Sequence, residues 1–305
     1  MHSIDDGLKT PTAATPPLRN EVHRMSGLAL LTRLALTALV FAGNPAAAST
    51  PVKPPPTGWS AVAGCARQIS VAEFDKPLVI GCAAMTTVMG ERGYEIYRRQ
   101  AGQWVRQPRP GYRIADLGAS LSPLIVDLKD VLWRGGSRQT KPTECIREVA
   151  SNSRPDIWVV TCVGKNGETT ILRANNLLPA ASGKPGDQDV HSWQRMPSGY
   201  QARKIAVGDE IWMMNSQGGI FTFDRATADW KQRPGCASDI AANGPHVWVI
   251  GCESGGAHGN QIFRWDGKAW GLTAGAAVQI SVDPLGNPWV IDDTGGIWTQ
   301  TFRTP

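Results

Sequence analysis

Histidine is scarce in this sequence, and the few present are not arranged for chemistry. Of five His in 305 residues, only His191, His246 and His258 lie beyond residue 48, and none of them forms an i,i+4 pair. Gly-x-Ser-x-Gly, His-Glu-x-x-His and the phosphate loop are absent, so hydrolase, zinc-peptidase and nucleotide-binding readings have no motif to stand on. Gly255-Gly256-Ala257-His258-Gly259 is glycine-rich but reads as a hairpin loop. Cys-x-x-Cys is missing, which removes a redox pair and the usual zinc spacings. The sequence therefore implies no metal and no cofactor. No stretch of useful length carries helical periodicity, which excludes a helical bundle.

Charge is also short of runs. Residues 1–48 hold four Lys/Arg and three Asp/Glu of the totals of 31 and 26, leaving a net charge near +4 beyond them. That mild excess predicts no nucleic-acid partner, yet does not repel an anionic glycan. Leu34 to Gly43 is an apolar core of ten residues, too short to span a bilayer. It follows Arg33 and precedes Ala46-Ala47-Ala48, the pattern of a secretory signal peptide over 25–48. Cleavage is expected after Ala48, and residues 1–24 read as an extension upstream of a start at Met25. Residues 49–58 form a Pro-rich linker. The mature chain, 59–305 with its linker, is then secreted or periplasmic, with no membrane span.

What is abundant is tryptophan, and it marks a repeat. A strand recurs as PLVI (77–80), PLIV (123–126), IWVV (157–160), IWMM (211–214), VWVI (247–250) and PWVI (288–291). Ahead of each lies a strand anchored by Ile69, Ile114, Val149, Ile205, Ile240 or Ile280. Behind each comes a third strand, such as YEIYRR (94–99) or GGIWTQ (295–300). A fourth element carries Trp59, Trp104, Trp193, Trp230 or Trp270, and one copy has none. Six copies of roughly 43 residues fit the period of a propeller blade. A lone four-stranded blade cannot cover both of its faces, whereas radial stacking does. The expectation is an all-β, six-bladed β-propeller over 59–305, its ring closed by the Trp59 segment joining the last blade.

All six cysteines recur at one repeat position in alternate copies, as Cys65/Cys82, Cys145/Cys162 and Cys236/Cys252. Each pair has the same index sum as a pair of hydrophobic anchors in its hairpin: Ile69/Leu78, Val149/Trp158 and Ile240/Trp248. Facing residues of an antiparallel hairpin share that sum, so three intrablade disulfides are predicted.

Three copies are the most regular: WQRMPSGYQARKIAVGDEIWMMNSQGGIFTF from Trp193, WKQRPGCASDIAANGPHVWVIGC from Trp230, and WGLTAGAAVQISVDPLGNPWVIDDTGGIWTQ from Trp270. Their order of Trp, Pro-Gly turn, Ile-Ala/Ser-Val strand, Val/Ile-Trp strand and Gly-x-Ile-Tyr/Phe resembles the tectonin repeat of tachylectin-like propellers. That resemblance implies a non-enzymatic, lectin-like module recognising lipopolysaccharide or other surface glycans. The alternatives are a propeller that docks an envelope protein, and a propeller hydrolase acting on glycans.

Candidate ligand residues follow from the chemistry sugars require. Asp127, Asn215 and Asp292 fall at one repeat position after the second strand of the copies without cysteine, and offer acceptors to hydroxyl groups. Tyr112 and Tyr200 each follow Gly and supply a flat apolar face. Arg113 and Arg203 suit phosphate or carboxylate on an anionic glycan. Asn215-Ser216-Gln217-Gly218 and Asp292-Asp293-Thr294-Gly295 also read as plain turns, where these residue types are at home.

Overall fold

A computed structural model of the chain describes residues 58–301, apart from 84, 89, 119–120, 140–144, 152–155, 165–166 and 180–187. The expected leader, the extension before it and the linker up to residue 57 lie outside the described residues. Among the described residues every regular element is a β-strand, and none is a helix.

The strands pair into six four-stranded antiparallel units. The first comprises the C-terminal half of β1 (Ser60–Ser70), β2 (Leu78–Gly81), β5 (Ile96–Gln100) and β6 (Gln103–Arg106). Within it β3 (Thr86–Val88) and β4 (Glu91–Gly93) make a side hairpin. The second comprises β7 (Arg113–Ala115), β8 (Leu124–Val126), β9 (Leu132–Arg134) and β10 (Ser137–Arg138). The third comprises β11 (Ile146–Ala150), β12 (Trp158–Thr161), β13 (Ile171–Pro179) and β14 (Gln188–Arg195). The fourth comprises β15 (Ala202–Val207), β16 (Ile211–Asn215), β17 (Gly219–Asp224) and the N-terminal half of β18 (Asp229–Asn243). The other half of β18 opens the fifth, followed by β19 (His246–Ser254), β20 (Asn260–Trp265) and β21 (Trp270–Ala277). The sixth comprises β22 (Gln279–Val282), β23 (Pro288–Ile291) and β24 (Gly296–Thr299). Its fourth strand is the N-terminal half of β1, with Ser60 opposite Thr299, Ala61 opposite Trp298 and Val62 opposite Ile297.

Each unit packs on the next through the alternate faces of its second strand. Leu78 and Ile80 meet Ile114 and Ile125 of the second unit. Leu124 and Val126 meet Ile146 and Val149 of the third. Trp158 and Val160 meet Ile205 and Met213, while Trp212 and Met214 meet Ile240 and Val249. Trp248 and Ile250 then meet Ile280 and Val290, and Trp289 and Ile291 meet Ile69 and Val79. The sixth cluster thus joins the last unit to the first. Second strands are covered on both sides, so they read as unbroken apolar runs rather than alternating ones. Trp158, Trp212, Trp248 and Trp289 are all buried in these seams. A buried ion pair adds to the first seam: Arg98 grips Asp116 with both guanidinium nitrogens, at 2.6 and 3.1 Å.

The three disulfides form as their index sums predict. Cys65 is bonded to Cys82, Cys145 to Cys162 and Cys236 to Cys252, with Cα–Cα distances of 5.5, 5.5 and 5.6 Å. The Cys162 N–H also donates to the Cys145 carbonyl at 2.9 Å, so this pair faces across its hairpin through backbone as well as sulfur. The hydrophobic partners do not pair as predicted. Ile69 faces Val79 and not Leu78, Val149 faces Val159 and not Trp158, and Ile240 faces Val249 and not Trp248. A bulge lies between cysteine and anchor in every case, at Arg67, Arg147 and Ser238. One extra residue on the first strand moves the register by one from there on.

Candidate functional site at the mouth of the channel

The first strand of every unit lines one narrow central channel, because residues from all six border the same cavity. The position just before each anchor is polar in all six: Gln68, Arg113, Glu148, Lys204, Asp239 and Gln279. Five of these side chains reach the next unit, and Glu148 lies beside Arg113 of the unit before it. Gln68 accepts from the Ile114 N–H at 3.2 Å, and Arg113 Nε donates to the Arg147 carbonyl at 2.9 Å while standing 3.7 Å from Glu148. Lys204 Nζ donates to Asp239 at 2.5 Å, and the other Asp239 oxygen accepts from the Ile280 N–H at 2.8 Å. Gln279 donates to the Arg67 carbonyl at 2.6 Å. The position after the anchor is Ser or Ala throughout, which keeps the channel narrow below this ring.

Above the ring the channel opens into a cavity of about 230 Å³ lined by Arg67, Arg113, Arg147, Arg203, Lys204, Glu148 and Asp239, among others. Three of its cations, Arg67, Arg147 and Arg203, are the extra residues of bulges. Strict alternation would put Arg67 on the same face as Ile69, in the seam; the bulge turns it to the mouth, and the same device acts at Arg147 and Arg203. Lys204 is paired with Asp239, and Arg113 stands beside Glu148. Arg67, Arg147 and Arg203 make no ion pair among the described residues. Arg67 lies over the Tyr94 ring at 4.7 Å and Arg113 over the Tyr112 ring at 4.0 Å. Burial pushes the Glu148 carboxyl above the usual range, Lys204, Arg113 and Arg147 pull it down, and Asp239 pushes it up; the net direction is upward.

The mouth therefore brings together two of the residues expected from sequence, Arg113 and Arg203, with the Tyr112 ring against Arg113. Tyr200 stands apart: its hydroxyl donates to Asp229 at 3.0 Å and its ring meets Phe221 edge-on. Asp127, Asn215 and Asp292 share a structural role. Each accepts from the backbone N–H two and four residues on, closing the turn between second and third strands. In Asp127 and Asp292 the second oxygen takes an indole N–H, from Trp133 and Trp298, at 2.9 Å each. The left-handed residue of two of these turns, Gly218 at φ 84° and Gly295 at φ 88°, sits against the next unit's disulfide. Gln68, Arg67, Arg147, Glu148, Lys204, Asp239 and Gln279 were not singled out from sequence. For Gln68, Glu148, Lys204, Asp239 and Gln279 the signal was the polar residue before every aliphatic anchor.

No family model matches the chain, and no curated protein does, so the tectonin likeness rests on the repeats themselves. Solved structures similar to it are β-propellers. YCF48 bound to D1 peptide is 13% identical with a TM-score of 0.51, over 81% of this chain and 96% of that one. The WD40 β-propeller domain of Doa1 is 11% identical (TM-score 0.46; 81% and 98% covered). The SapL1 lectin in complex with α-methyl fucoside is 10% identical (TM-score 0.48; 81% and 95%). The fold is all-β and propeller-like. Its disulfides are compatible with an extracellular or periplasmic protein, and no helix among the described residues is long and apolar enough to cross a membrane.

Proposed function

We propose that this is a six-bladed propeller, exported by the 25–48 leader, that binds acidic surface glycans without transforming them. Lipopolysaccharide, whose phosphates and carboxylates are exposed, is the chemistry in view. One observation carries this reading: three arginines that make no ion pair among the described residues, Arg67, Arg147 and Arg203, are turned by bulges into one cavity. Arginine matches phosphate and carboxylate geometry with two parallel bonds. A cavity of about 230 Å³ is below the range of about 300–1,000 Å³ that encloses a drug-sized ligand. It suits one charged terminal group, with the rest of a glycan lying across the face outside. The resemblance to tectonin repeats supports the same ligand class.

A glycan array with matched acidic and neutral members tests the proposal. Acidic members should be retained, and Arg67→Ala with Arg203→Ala should weaken them at least tenfold, about 1.4 kcal/mol. Equal retention of neutral glycans, or an unaffected double variant, overturns it. A second reading, an acidic segment of an envelope protein, is favoured by Tyr112 and Val278, which are exposed beside the arginines. Capture of such a segment independent of glycan selects that reading.

A further inference from the structure

We infer that anion binding at the channel mouth is coupled to protonation of Glu148, so that the site binds oxyanions more tightly as the pH falls. This rests on the proposed anion site and names how it is regulated. Glu148 already stands where a ligand anion would: it is on the channel ring, mostly buried, with Arg113 Nε at 3.7 Å on one side. The charged groups facing it come from every neighbouring strand: Arg113 from the second unit, Arg147 on its own strand, Lys204 from the fourth and Asp239 from the fifth. Gln68 and Gln279 complete the ring and are neutral.

The two carboxylates at the mouth are not equivalent. Asp239 is held by Lys204 through one oxygen and by the Ile280 N–H through the other. The Glu148 contact to Arg113 is too long for a hydrogen bond. Glu148 is thus the carboxylate with least to lose on protonation. An oxyanion entering the cavity meets it as a like charge in a place already short of water. Taking up one proton removes that repulsion and leaves the Arg113 charge to be balanced by the ligand. The proton comes from solvent and no bond but O–H is made.

Sulfate is the probe, because it stays a dianion from about pH 8 to about pH 5, where an ordinary Glu has long since ionised. Sodium sulfate is titrated calorimetrically into the disulfide-intact protein at both ends of that range and at constant ionic strength, in buffers of different ionisation enthalpy. The expected result is an affinity that rises as the pH falls, by at most about tenfold per pH unit for one proton, with proton uptake read from the buffer dependence. Glu148→Gln should bind more tightly than the natural protein at the higher pH and lose the pH dependence. No histidine lines the mouth among the described residues, and the variant separates Glu148 from histidines elsewhere. Sulfate binding that ignores pH, without proton uptake, overturns the coupling and leaves the acidic-ligand reading standing. So does a Glu148→Gln protein that binds more weakly. Absence of sulfate binding at both pH values removes the anion site, and the proposed function with it. Proton uptake by the natural protein needs no variant, so a Glu148→Gln chain that fails to fold does not shelter the idea.

Discussion

The Gln279 side chain donates to the backbone carbonyl of Arg67, across 212 residues of sequence, at 2.6 Å. Gln279 begins the innermost strand of the sixth unit and Arg67 sits in that of the first. The contact is the last of five made from one repeat position, and two residues deeper Ser281 also bridges the two units by accepting from the Val71 N–H at 2.9 Å. A chain whose ends did not meet would have no use for either.

Closure by the first strand is expected to make the ring cooperative. Trp59 is buried in the seam between the fifth and sixth units, and its indole donates to the Ala274 carbonyl at 2.7 Å. Trp59→Ala should therefore lower the stability of the whole molecule by about 3–5 kcal/mol. A urea melt followed by fluorescence and by circular dichroism should show one transition, moved to lower denaturant. A small early transition with the main one unmoved means that the segment only frays.

The disulfides cross-link short stretches of 16 or 17 residues. In the chain-entropy model each contributes about 3 kcal/mol. Cys236→Ser with Cys252→Ser should lower the melting temperature and leave the circular dichroism spectrum of the native state unchanged. Non-reducing peptide mapping of the natural protein should recover three intraunit pairs, Cys145 with Cys162 among them; cross-unit pairs such as Cys82 with Cys145 count against the arrangement.

Glycine and disulfide are coupled between units. A Cβ on Gly218 falls 2.6 Å from Cys236 Sγ and 3.0 Å from Cys252 Sγ, and one on Gly295 falls 2.6 Å from Cys65 Sγ. Both glycines also have φ in the left-handed region, which costs Ala about 1–2 kcal/mol. Gly218→Ala should be destabilising by more than that strain alone. Combined with Cys236→Ala and Cys252→Ala its effect should shrink, because the sulfur clash goes while the strain and the 3.0 Å approach to the Ala237 carbonyl remain. Strict additivity excludes the contact. The equivalent residue of the second unit is Asp130, also at positive φ, 57°, a residue type that tolerates this region.

The repeat, the disulfides and the closing strand were legible because residue types recur: Trp, Cys and an aliphatic anchor at fixed offsets. Facing partners were misread by one position for a local reason. Counting alternate residues from Ile69 assumes an unbroken pleat, and the bulge at Arg67 is invisible in composition. The same bulge hid the mouth. Arg67 and Arg147 read as residues on the seam face, and only the turned backbone sends them to the channel. Arg113 and Arg203 were chosen for their fit to phosphate and carboxylate, and the structure keeps those arginines at one cavity while it parts Tyr200 from Tyr112. Asp127, Asn215 and Asp292 were correctly grouped by repeat position, but grouping cannot say whether an acceptor faces a ligand or its own turn.

That last distinction can be measured at Asp292. Burial pushes its carboxyl up, but bonds from the Thr294 hydroxyl, the Trp298 indole and the Gly296 and Thr294 amides outweigh this and hold it below the usual range. A carboxyl depressed by folding stabilises the fold above its unfolded value, about 3.9, and that contribution is lost as the pH falls through the folded value. Asp292→Ala leaves the buried Trp298 N–H and two turn amides without an acceptor, so it should cost about 1–3 kcal/mol at neutral pH. Asp292→Asn, the residue that the fourth unit carries as Asn215, keeps one acceptor and should cost less. The gap between Asp292→Ala and the natural protein should narrow below about pH 4, because the natural protein then loses its own carboxylate. Urea midpoints at neutral and acid pH give both numbers. An Asp292→Ala protein as stable as the natural one, but unable to hold an acidic glycan, would show that this oxygen serves a ligand and not the turn.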